Sequence, residues 1–543
     1  MSFVTYALLI CLSVLLFSRS CISEFQTIAV SPIVGSTGNI RSRHANHRIL
    51  SADRNVLDRR QRKVETSILV ADSLTASSTT HHSKLSIRGL VINIVADLCP
   101  HGMMPLAYGL SQGSSGPTGF IPAVLLIALF GSMSAYTMLS YAELSKATES
   151  RNIGELWGKL ISEQTKWVID LSIFALCFGC CVFYSAFMGD IFTSLSSAAG
   201  FGGLFAKRWF VLVSMSTGIL LPLCLLEDLS ALQFSSIMGV VGIAYTVLFH
   251  FIRFIDGSYQ PNSDMLNHVL DKMRPNFPSP KIKAWSIHSG SLVLINMFCV
   301  AFLSHYNSIN YYEEFDNPSN GRYTIAVCLG FGLSMAVFTC MMFSGYFLFG
   351  SSCQPLLLNN FPTTADSLAS IARLATGLAI TFAYPLMFAG LKTSMVSLLE
   401  FSMSRSSSSS NKPKEIVAAV DGDGEDKSMG IVVAVDGEGG VPKVAKSVKD
   451  ASVVIVLSAI TAIAVQCSEE DVSIVLGIVG SVLGCFVAYA LPGILKLALM
   501  RQRKRSNLPN NKYEVAYNHA LVALGVIFGG LGVWITFNTD PHS

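Results

Sequence analysis

Long apolar runs alternate with short polar segments along most of the chain. From residue 88 onward, eleven runs approach the roughly 20 residues that an α-helix needs to cross the hydrocarbon core of a bilayer. Backbone amides find no water inside a bilayer, so each run is predicted to be a helix. The predicted spans are 88–110, 118–141, 167–193, 209–226, 234–255, 284–304, 325–349, 368–390, 451–467, 472–499 and 517–537.

The composition agrees with a membrane location. Of the 543 residues, 51% are hydrophobic and 13% are charged, and the mean hydropathy is +0.51. Soluble domains carry about 25% charged residues, so this chain has too few charges to cover a water-exposed surface of its size. We therefore predict an all-α, multi-pass integral membrane protein whose surroundings are the lipid bilayer. The net charge of +3 gives no indication of a nucleic-acid partner.

Two segments precede the predicted spans. Residues 1–20 contain an apolar run from Val4 to Phe17 that resembles the hydrophobic region of a signal or targeting sequence. Residues 21–86 are rich in serine, threonine and arginine and are predicted to be a disordered basic tail. Cleavage of a signal peptide would carry this tail to the far side of the membrane and invert every loop. A retained anchor or a targeting element therefore agrees better with the loop charges described next.

The remaining chain is predicted to hold two groups of spans. Residues 87–400 contain spans one to eight, residues 401–450 form a disordered cytoplasmic linker, and residues 451–540 contain spans nine to eleven. Aspartates between 421 and 426 resemble a calcium loop, but the ligand spacing and the closing glutamate are missing. The basic cluster Arg501–Arg505 predicts a cytoplasmic loop after span ten. This places the N-terminus inside and the C-terminus outside.

The cysteines offer little chemistry. Most lie in apolar runs, where a free thiol behaves as a small hydrophobic group. Cys177, Cys180 and Cys181 have a spacing that resembles a metal motif, but no histidine lies nearby, so no metal site is predicted. Cys353 and Cys467 are predicted at the same non-cytoplasmic face and could pair there.

Two predicted spans carry polar residues and helix breakers at membrane depth. Span one contains Asp97 followed by Pro100, His101, Gly102 and Pro105, which interrupt a helix. Span six ends in the polar run 304–307. Irregular backbone inside a membrane is tolerated where it lines a cavity, and paired interruptions indicate a transporter site.

The spacing of the two interruptions predicts a particular architecture. They fall in the first and sixth spans, five spans apart, as a five-plus-five inverted repeat requires. The eleventh span would then be an extra C-terminal helix. The alternative is a pair of kinked helices whose polar side chains are satisfied within the bundle.

Several short motifs, in order along residues 88–500, resemble the sodium-coupled neutral amino acid transporters of the amino acid/auxin permease superfamily. The strongest lie at the two interruptions. The matching residues are Val91-Ile92-Asn93-Ile94, Gly102–Tyr108, Gly189-Asp190, Leu221–Leu226, Phe302, His305, Tyr312, Glu314, Gly345-Tyr346, Phe349-Gly350, Arg373-Leu374-Ala375, Thr381 and Pro385.

The resemblance implies a secondary active transporter that moves neutral amino acids by alternating access, with no catalytic residue and no cofactor. Two oxygen donors of the family pattern are replaced here by Ala96 and Ala383. Sodium requires several oxygen ligands, whereas Asp97 and His101 can titrate. The coupling ion is therefore H⁺ or Na⁺, with protons favoured.

The amino acid substrate is predicted to bind between the two interrupted helices. Backbone amides from Gly102 onward would hold its carboxylate, and carbonyls near Asp97 would take its amine. Asp97 and Thr381 are the predicted ion-coupling residues, and no metal ligand is predicted. The predicted substrate-binding residues are Asn93, Asp97, His101, Gly102, Met103, Ser304, His305 and Asn307.

Other functions remain as alternatives. An amino acid sensor on a transporter scaffold would use the same site without accumulating substrate. A membrane enzyme would require clustered acids or histidines at one aqueous surface, and a channel would require polar residues repeated along several helices. The protein is expected in the plasma membrane or in an endomembrane such as the vacuolar one. The sequence carries no indication of the oligomeric state.

Overall fold

In the computed structural model, the regular secondary structure of the described residues is helical, apart from one isolated β-bridge. These residues are 85–112, 116–226, 233–261, 263–275, 282–409, 444–467, 479–506 and 508–538. Ten helices in this part of the chain are long and apolar enough to cross a membrane. The predicted targeting segment, nearly all of the basic tail and most of the 401–450 linker lie outside the described residues.

The helices follow the order of the predicted spans, with a short surface helix, α4, between spans two and three. They are α1 (Ile87–Gly102), α2 (Leu106–Ser111), α3 (Phe120–Thr148), α4 (Ile153–Leu160), α5 (Lys166–Ala198), α6 (Arg208–Leu225), α7 (Gln233–Asp256), α8 (Ser291–Ala301), α9 (Ser308–Glu314), α10 (Asn320–Phe349), α11 (Ser367–Ser409), α12 (Lys446–Gln466), α13 (Gly480–Arg505) and α14 (Lys512–Asn538).

Both predicted interruptions are present. Span one is divided into α1 and α2, and neither piece alone is long enough to cross a bilayer. Span six is divided into α8 and α9, which are joined through the 3₁₀ turn His305–Asn307. The all-α membrane fold of about eleven spans, with spans one and six broken, is therefore confirmed. The inverted relation between the two halves stays a prediction.

The predicted start of span six was wrong. Residues 284–290 are not helical, and α8 begins at Ser291. The first amides of α3 have no partner within their own helix. The amides of Gly119, Phe120 and Ile121 instead donate to the carbonyls of Ser286, Lys283 and Ala284. This extended segment caps α3, and span six continues past its break to Glu314.

The linker bounds also change. Helix α11 extends beyond residue 400 to Ser409, and α12 begins at Lys446, before residue 450. Polar residues can continue a helix outside the bilayer, so a helix need not end where its apolar run does. At the other end, Leu85 belongs to the fold and not to the predicted tail. Its amide donates to Glu314, and its carbonyl accepts from Asp316.

Small residues let the spans approach closely. A Cβ atom at Gly242 would collide with the carbonyl of Ala375, and one at Gly330 would lie 2.8 Å from the side chain of Ile94. Such positions are typical of helix contacts in membranes, where packing replaces the hydrophobic driving force. They hold α7 against α11, and α10 against α1 near the break.

A charged cluster lies where α7 ends and α11 begins; we call it the Asp366 cluster. The Arg253 guanidinium donates to both Asp366 oxygens, at 2.9 and 2.5 Å, and also to Asp256. The Tyr259 hydroxyl and the Ala369 amide also donate to Asp366. Burial, and next the hydrogen bond to Asp366, raise the pKa of Tyr259, so its hydroxyl stays a donor. Every polar atom of the buried Asp366 carboxylate is thus satisfied.

A second charged cluster attaches the extra C-terminal helix. Lys496 of α13 is 3% exposed and pairs with Glu143 of α3 and, at 3.3 Å, with Glu514 of α14. A buried ammonium group requires such partners. The ion pairs therefore fix α14 against spans two and ten.

The cysteine predictions have different outcomes. No disulfide joins Cys353 and Cys467, so the predicted pairing is wrong. The buried Cys353 thiol contacts the Gly345 carbonyl at 3.4 Å instead. Cys177 and its two neighbours are buried free thiols, and the described residues contain no group of three or more potential metal ligands.

Candidate functional site

Helix α1 ends at the break because its sequence cannot continue the hydrogen-bond ladder. Pro100 lacks an amide hydrogen, and the helix ends at Gly102. Asn93 and Asp97 are four residues apart and therefore lie on the same face of α1. Both side chains are fully buried. The last turns of α1 thus carry polar groups into the interior of the bundle.

Asp97 joins the two broken spans. Its Oδ1 accepts a hydrogen bond from the Tyr306 hydroxyl at 2.6 Å, and its Oδ2 accepts one from the Tyr311 hydroxyl at 3.2 Å. Tyr306 lies in the turn between α8 and α9, and Tyr311 lies in α9. Because each oxygen accepts a hydrogen bond and neither donates one, the contacts are those expected of an ionised carboxylate. No lysine, arginine or histidine in the described chain forms an ion pair with it.

His101 also joins the two breaks, through partners other than those of Asp97. Its Nε2 lies 3.1 Å from the Val300 carbonyl, near the end of α8, and its Nδ1 lies 2.7 Å from the Tyr184 hydroxyl of α5. A carbonyl only accepts, so Nε2 carries the hydrogen and Nδ1 accepts from Tyr184. Both imidazole nitrogens are therefore engaged.

Gly102 is packed and does not face open space. A Cβ atom there would collide with the Phe338 ring of α10, with one ring carbon at 2.8 Å, and would lie 3.0 Å from the Ala301 carbonyl. Met103 follows with its side chain buried and its amide bonded to Cys99. Glycine is required here for the close approach of the ends of α1 and α8.

His305 lies in the second break and contacts α3. Its Nε2 lies 2.8 Å from the Thr137 hydroxyl and 3.1 Å from the Ser134 carbonyl. Its Nδ1 is buried and has no partner. The neighbouring Ser304 hydroxyl is also buried and contacts the sulfur of Met138 at 3.8 Å.

Several other buried polar atoms near the breaks lack partners. The Asn307 Nδ2 donates to the Leu386 carbonyl of α11 at 2.8 Å, but its Oδ1 is unpaired. The Ser308 hydroxyl and both amide atoms of Asn93 are also unpaired. Each such atom costs about 1–3 kcal/mol unless a ligand or water satisfies it. Their concentration on the two broken spans points to a ligand site.

Thr381 lies apart from these contacts. Its hydroxyl donates to the Gly377 carbonyl of its own helix at 2.7 Å and contacts the sulfur of Met188 at 3.3 Å. Pro385, four residues later, has no amide hydrogen and cannot donate to the Thr381 carbonyl, so that carbonyl lacks its usual helical hydrogen bond. The structure does not join Thr381 to Asp97 through a contact.

Three tyrosines and one phenylalanine of this region were not among the predicted site residues. Tyr306 and Tyr311 hold Asp97, Tyr184 holds His101, and Phe338 covers Gly102. Tyr306 and Tyr311 flank the second break, so their position was a usable signal. Tyr184 and Phe338 lie in continuous apolar spans, where nothing in the sequence distinguishes them from packing residues.

Comparisons with known proteins agree with this picture. The family described as transmembrane amino acid transporter protein matches residues 83–537. Vacuolar amino acid transporter 6 of Saccharomyces cerevisiae is 22% identical over 78% of this chain and 92% of its own length. A putative sodium-coupled neutral amino acid transporter 11 of Mus musculus is 22% identical over 57% of this chain and 64% of its own length.

Among solved structures, MhsT in complex with L-phenylalanine aligns with a TM-score of 0.49 and 12% identity, over 83% of this chain and 97% of that chain. The family match covers both broken spans and all the other helices described above. Its members are transporters and not enzymes, which removes the enzyme alternative. The chain belongs to the transmembrane amino acid transporter protein family.

Proposed function

We propose that this protein is a secondary active transporter that moves neutral amino acids across its membrane by alternating access, with the substrate bound between the two breaks and protons as the coupling ion. The observation that carries the proposal is the buried Asp97 carboxylate, which hydroxyl groups hold but no cation pairs. A substrate ammonium group would supply the missing positive charge. Without it, the carboxylate bears a large desolvation cost.

The residues at the breaks favour a neutral side chain on the substrate. Residues 97–107 and 300–311 contain one carboxylate, two histidines, one cysteine and two tyrosines as ionisable groups. Asp97 is the natural partner of the α-amine, so a second cationic group on the substrate would find no carboxylate there. The other side chains of these two segments are uncharged, and they include Phe302, whose ring centroid lies 5.1 Å from that of Phe338.

Protons are the better coupling ion on the same evidence. A sodium site needs several oxygen ligands around one point. The predicted ligand Thr381 directs its hydroxyl to its own helix, and Ala96 and Ala383 lack side-chain oxygens. Two imidazoles, in contrast, lie at the breaks. Sodium coupling remains the alternative.

The relatives suggest the membrane in which the protein works. Three similar yeast proteins are named as vacuolar amino acid transporters, and a similar mouse protein is named as a putative sodium-coupled neutral amino acid transporter, a name that does not specify a membrane. We therefore place this protein in the vacuolar or the plasma membrane. A fluorescent fusion at the C-terminus, imaged with markers of both membranes, distinguishes the two.

Uptake into proteoliposomes tests the transport proposal. The full chain is reconstituted and given labelled L-alanine, L-leucine, L-phenylalanine, L-lysine and L-glutamate under separate proton and sodium gradients. We expect accumulation of a neutral amino acid under the proton gradient and none of L-lysine. Accumulation under sodium alone would identify the other ion. Saturable binding without accumulation or exchange would identify a sensor, and neither binding nor uptake of any of the five would overturn the proposal.

A further inference from the structure

We propose that His305 is the group that carries the coupled proton, taken up on its Nδ1 when the substrate carboxylate binds. This inference rests on the transport function proposed above and specifies how its ion is coupled. Neither the family resemblance nor the predicted ion-coupling pair of Asp97 and Thr381 assigned this role to His305. It follows from the hydrogen bonds around the three buried polar groups at the breaks.

The contacts of His305 determine its tautomer. Thr137 donates its hydroxyl hydrogen to the Met133 or Ser134 carbonyl of its own helix, at 3.0 and 3.1 Å, so its oxygen is left to accept. The Ser134 carbonyl can only accept. The hydrogen between these groups and His305 must therefore belong to Nε2. The neutral ring then presents a bare lone pair at Nδ1, which is buried and unpaired.

The other two candidates are already occupied. Both Asp97 oxygens accept from tyrosine hydroxyls, and these hydrogen bonds favour the ionised carboxylate over its protonated form. Both His101 nitrogens are bonded, and a proton on Nδ1 would require the Tyr184 hydroxyl to turn from donor to acceptor. At His305 a proton adds to a lone pair that has no hydrogen-bond partner.

Among the described residues, the groups that contact the His305 ring carry no charge that would oppose or replace the proton. From α3, Ser134, Thr137 and Tyr141 face it, and from α13, Tyr489 faces it. The tyrosines are the titratable groups among these. Their hydroxyls are committed elsewhere, to the Val487 carbonyl and to the Ser134 hydroxyl.

The other elements packed against the same turn are α1 and α11. The charged group that reaches the turn from α1 is Asp97, held by Tyr306. The contacts from α11 are uncharged: the Leu386 carbonyl accepts from Asn307, and Gly390 packs against the Tyr306 ring.

The charges of the substrate complete the argument. A zwitterionic amino acid brings one ammonium group, which Asp97 balances, and one carboxylate, for which the breaks hold no fixed cation. Protonated His305 supplies that cation, so proton and carboxylate each favour the binding of the other. The proton passes from water on the entry side to the Nδ1 lone pair. It returns to water on the exit side when the substrate leaves, and no bond between heavy atoms changes.

An unpaired imidazole nitrogen alone would not carry this role, and the chain offers a matched control. His250 of α7 is also fully buried, donates from Nδ1 to the Thr246 carbonyl at 2.8 Å, and has an unpaired Nε2. Its ring packs between Phe249 and Phe361, away from the breaks. Comparing substitutions of the two histidines therefore distinguishes the effect of a position at the break from the effect of burial alone.

The decisive variant is His305→Gln, because the glutamine amide can keep the donor to Thr137 and Ser134 while the Nδ1 lone pair is lost. In proteoliposomes, with the neutral amino acid that the wild type accumulates best, we expect proton-driven accumulation to fall by at least about tenfold. Exchange of substrate between two equal pools should fall as well, because glutamine supplies no positive charge for the carboxylate, and the exchange that remains should no longer depend on pH. The control His250→Asn, which keeps the Nδ1-type donor, should accumulate substrate as the wild type does. Proton-driven accumulation by His305→Gln at the wild-type level overturns the proposal.

Measurements on proteins that retain the imidazole cover the case in which His305→Gln fails to fold. Wild-type substrate affinity should fall as the pH rises through the titration range of an imidazole, with about one proton bound per substrate by calorimetry in different buffers. Thr137→Val removes a hydroxyl that accepts a hydrogen bond from the imidazolium. The midpoint, the pH at which the affinity is half lost, should therefore be lower in this variant than in the wild type. An affinity independent of pH, or an unmoved midpoint in Thr137→Val, overturns the role of His305 even though transport itself is confirmed. A wild type that neither binds nor transports any amino acid instead overturns the proposed function.

Discussion

The Asp366 cluster and the two helix breaks both bury polar groups, but they satisfy them differently. At the cluster, Asp366 is held by a guanidinium, a hydroxyl and a backbone amide. At the breaks, Asp97 has two hydroxyls and no cation, and atoms of Asn93 and His305 have no partner. A saturated network stabilises a structure, whereas an unsaturated one costs free energy that a bound ligand can recover. We infer that the cluster serves stability and the breaks serve binding.

The largest effect is expected at the cluster. Asp366→Ala removes a fully buried carboxylate and leaves Arg253 without its bidentate partner, which should lower the free energy of unfolding by about 3–5 kcal/mol. Asp256→Ala is the control, because that carboxylate is 32% exposed and should cost less than about 1 kcal/mol. Thermal unfolding of purified protein in detergent measures both. Equal losses for the two variants would contradict the saturated network.

The opposite pattern is expected for Asp97→Asn. Loss of the charge that pairs the substrate amine should reduce both uptake and exchange by about 100-fold, which corresponds to about 2.7 kcal/mol. Removal of an unpaired buried charge also relieves its desolvation cost, so the free energy of unfolding should stay the same or rise. Normal exchange in this variant would show that Asp97 does not pair with the substrate amine.

The packing at Gly102 provides a third test. Gly102→Ala places a methyl group against the Phe338 ring, so uptake should fall about tenfold, and Gly102→Val should abolish it. Phe338→Leu combined with Gly102→Ala should restore more uptake than the single alanine variant retains, because the shorter side chain makes room. Additive effects of the two substitutions would show that the phenylalanine is not the group that excludes a side chain.

The smallest effect is expected for Tyr259→Phe. This change removes one hydrogen bond from Asp366 and leaves the ion pair in place, so it should cost about 1 kcal/mol of unfolding free energy. Uptake at the temperature of the assay should match the wild type. A loss of uptake at unchanged stability would connect the cluster to transport.

The sequence predicted the breaks far better than it predicted their partners. Helix breakers in span one and a polar run at the end of span six are local signals, and they located both interruptions correctly. The structure then showed that Gly102 faces Phe338, more than 200 residues later in the chain. The sequence contains no signal for such a contact, because Phe338 lies in an unbroken apolar run.

The helix ends show the same division. The apolar runs gave the number and order of the spans but not the limits of span six or of the 401–450 linker. Residues 284–290 are not helical, and carbonyls of residues 283–286 cap α3 instead; Ser409 is helical because the end of an apolar run does not stop a helix. Likewise, Cys353 and Cys467 were expected on one face where they could pair, yet no disulfide joins them.

The sequence by itself determined that this protein is a helical membrane bundle with two interrupted spans, because the bilayer makes hydrophobicity and backbone hydrogen bonding decisive at every position. Only the tertiary structure decided which polar groups at the interruptions are satisfied. Asp97 and His101 meet hydroxyl and carbonyl partners from other spans, whereas the Nδ1 of His305 meets none. Hydrogen bonds are directional and short, so their presence depends on ångström-scale positions of separate helices that no local pattern encodes.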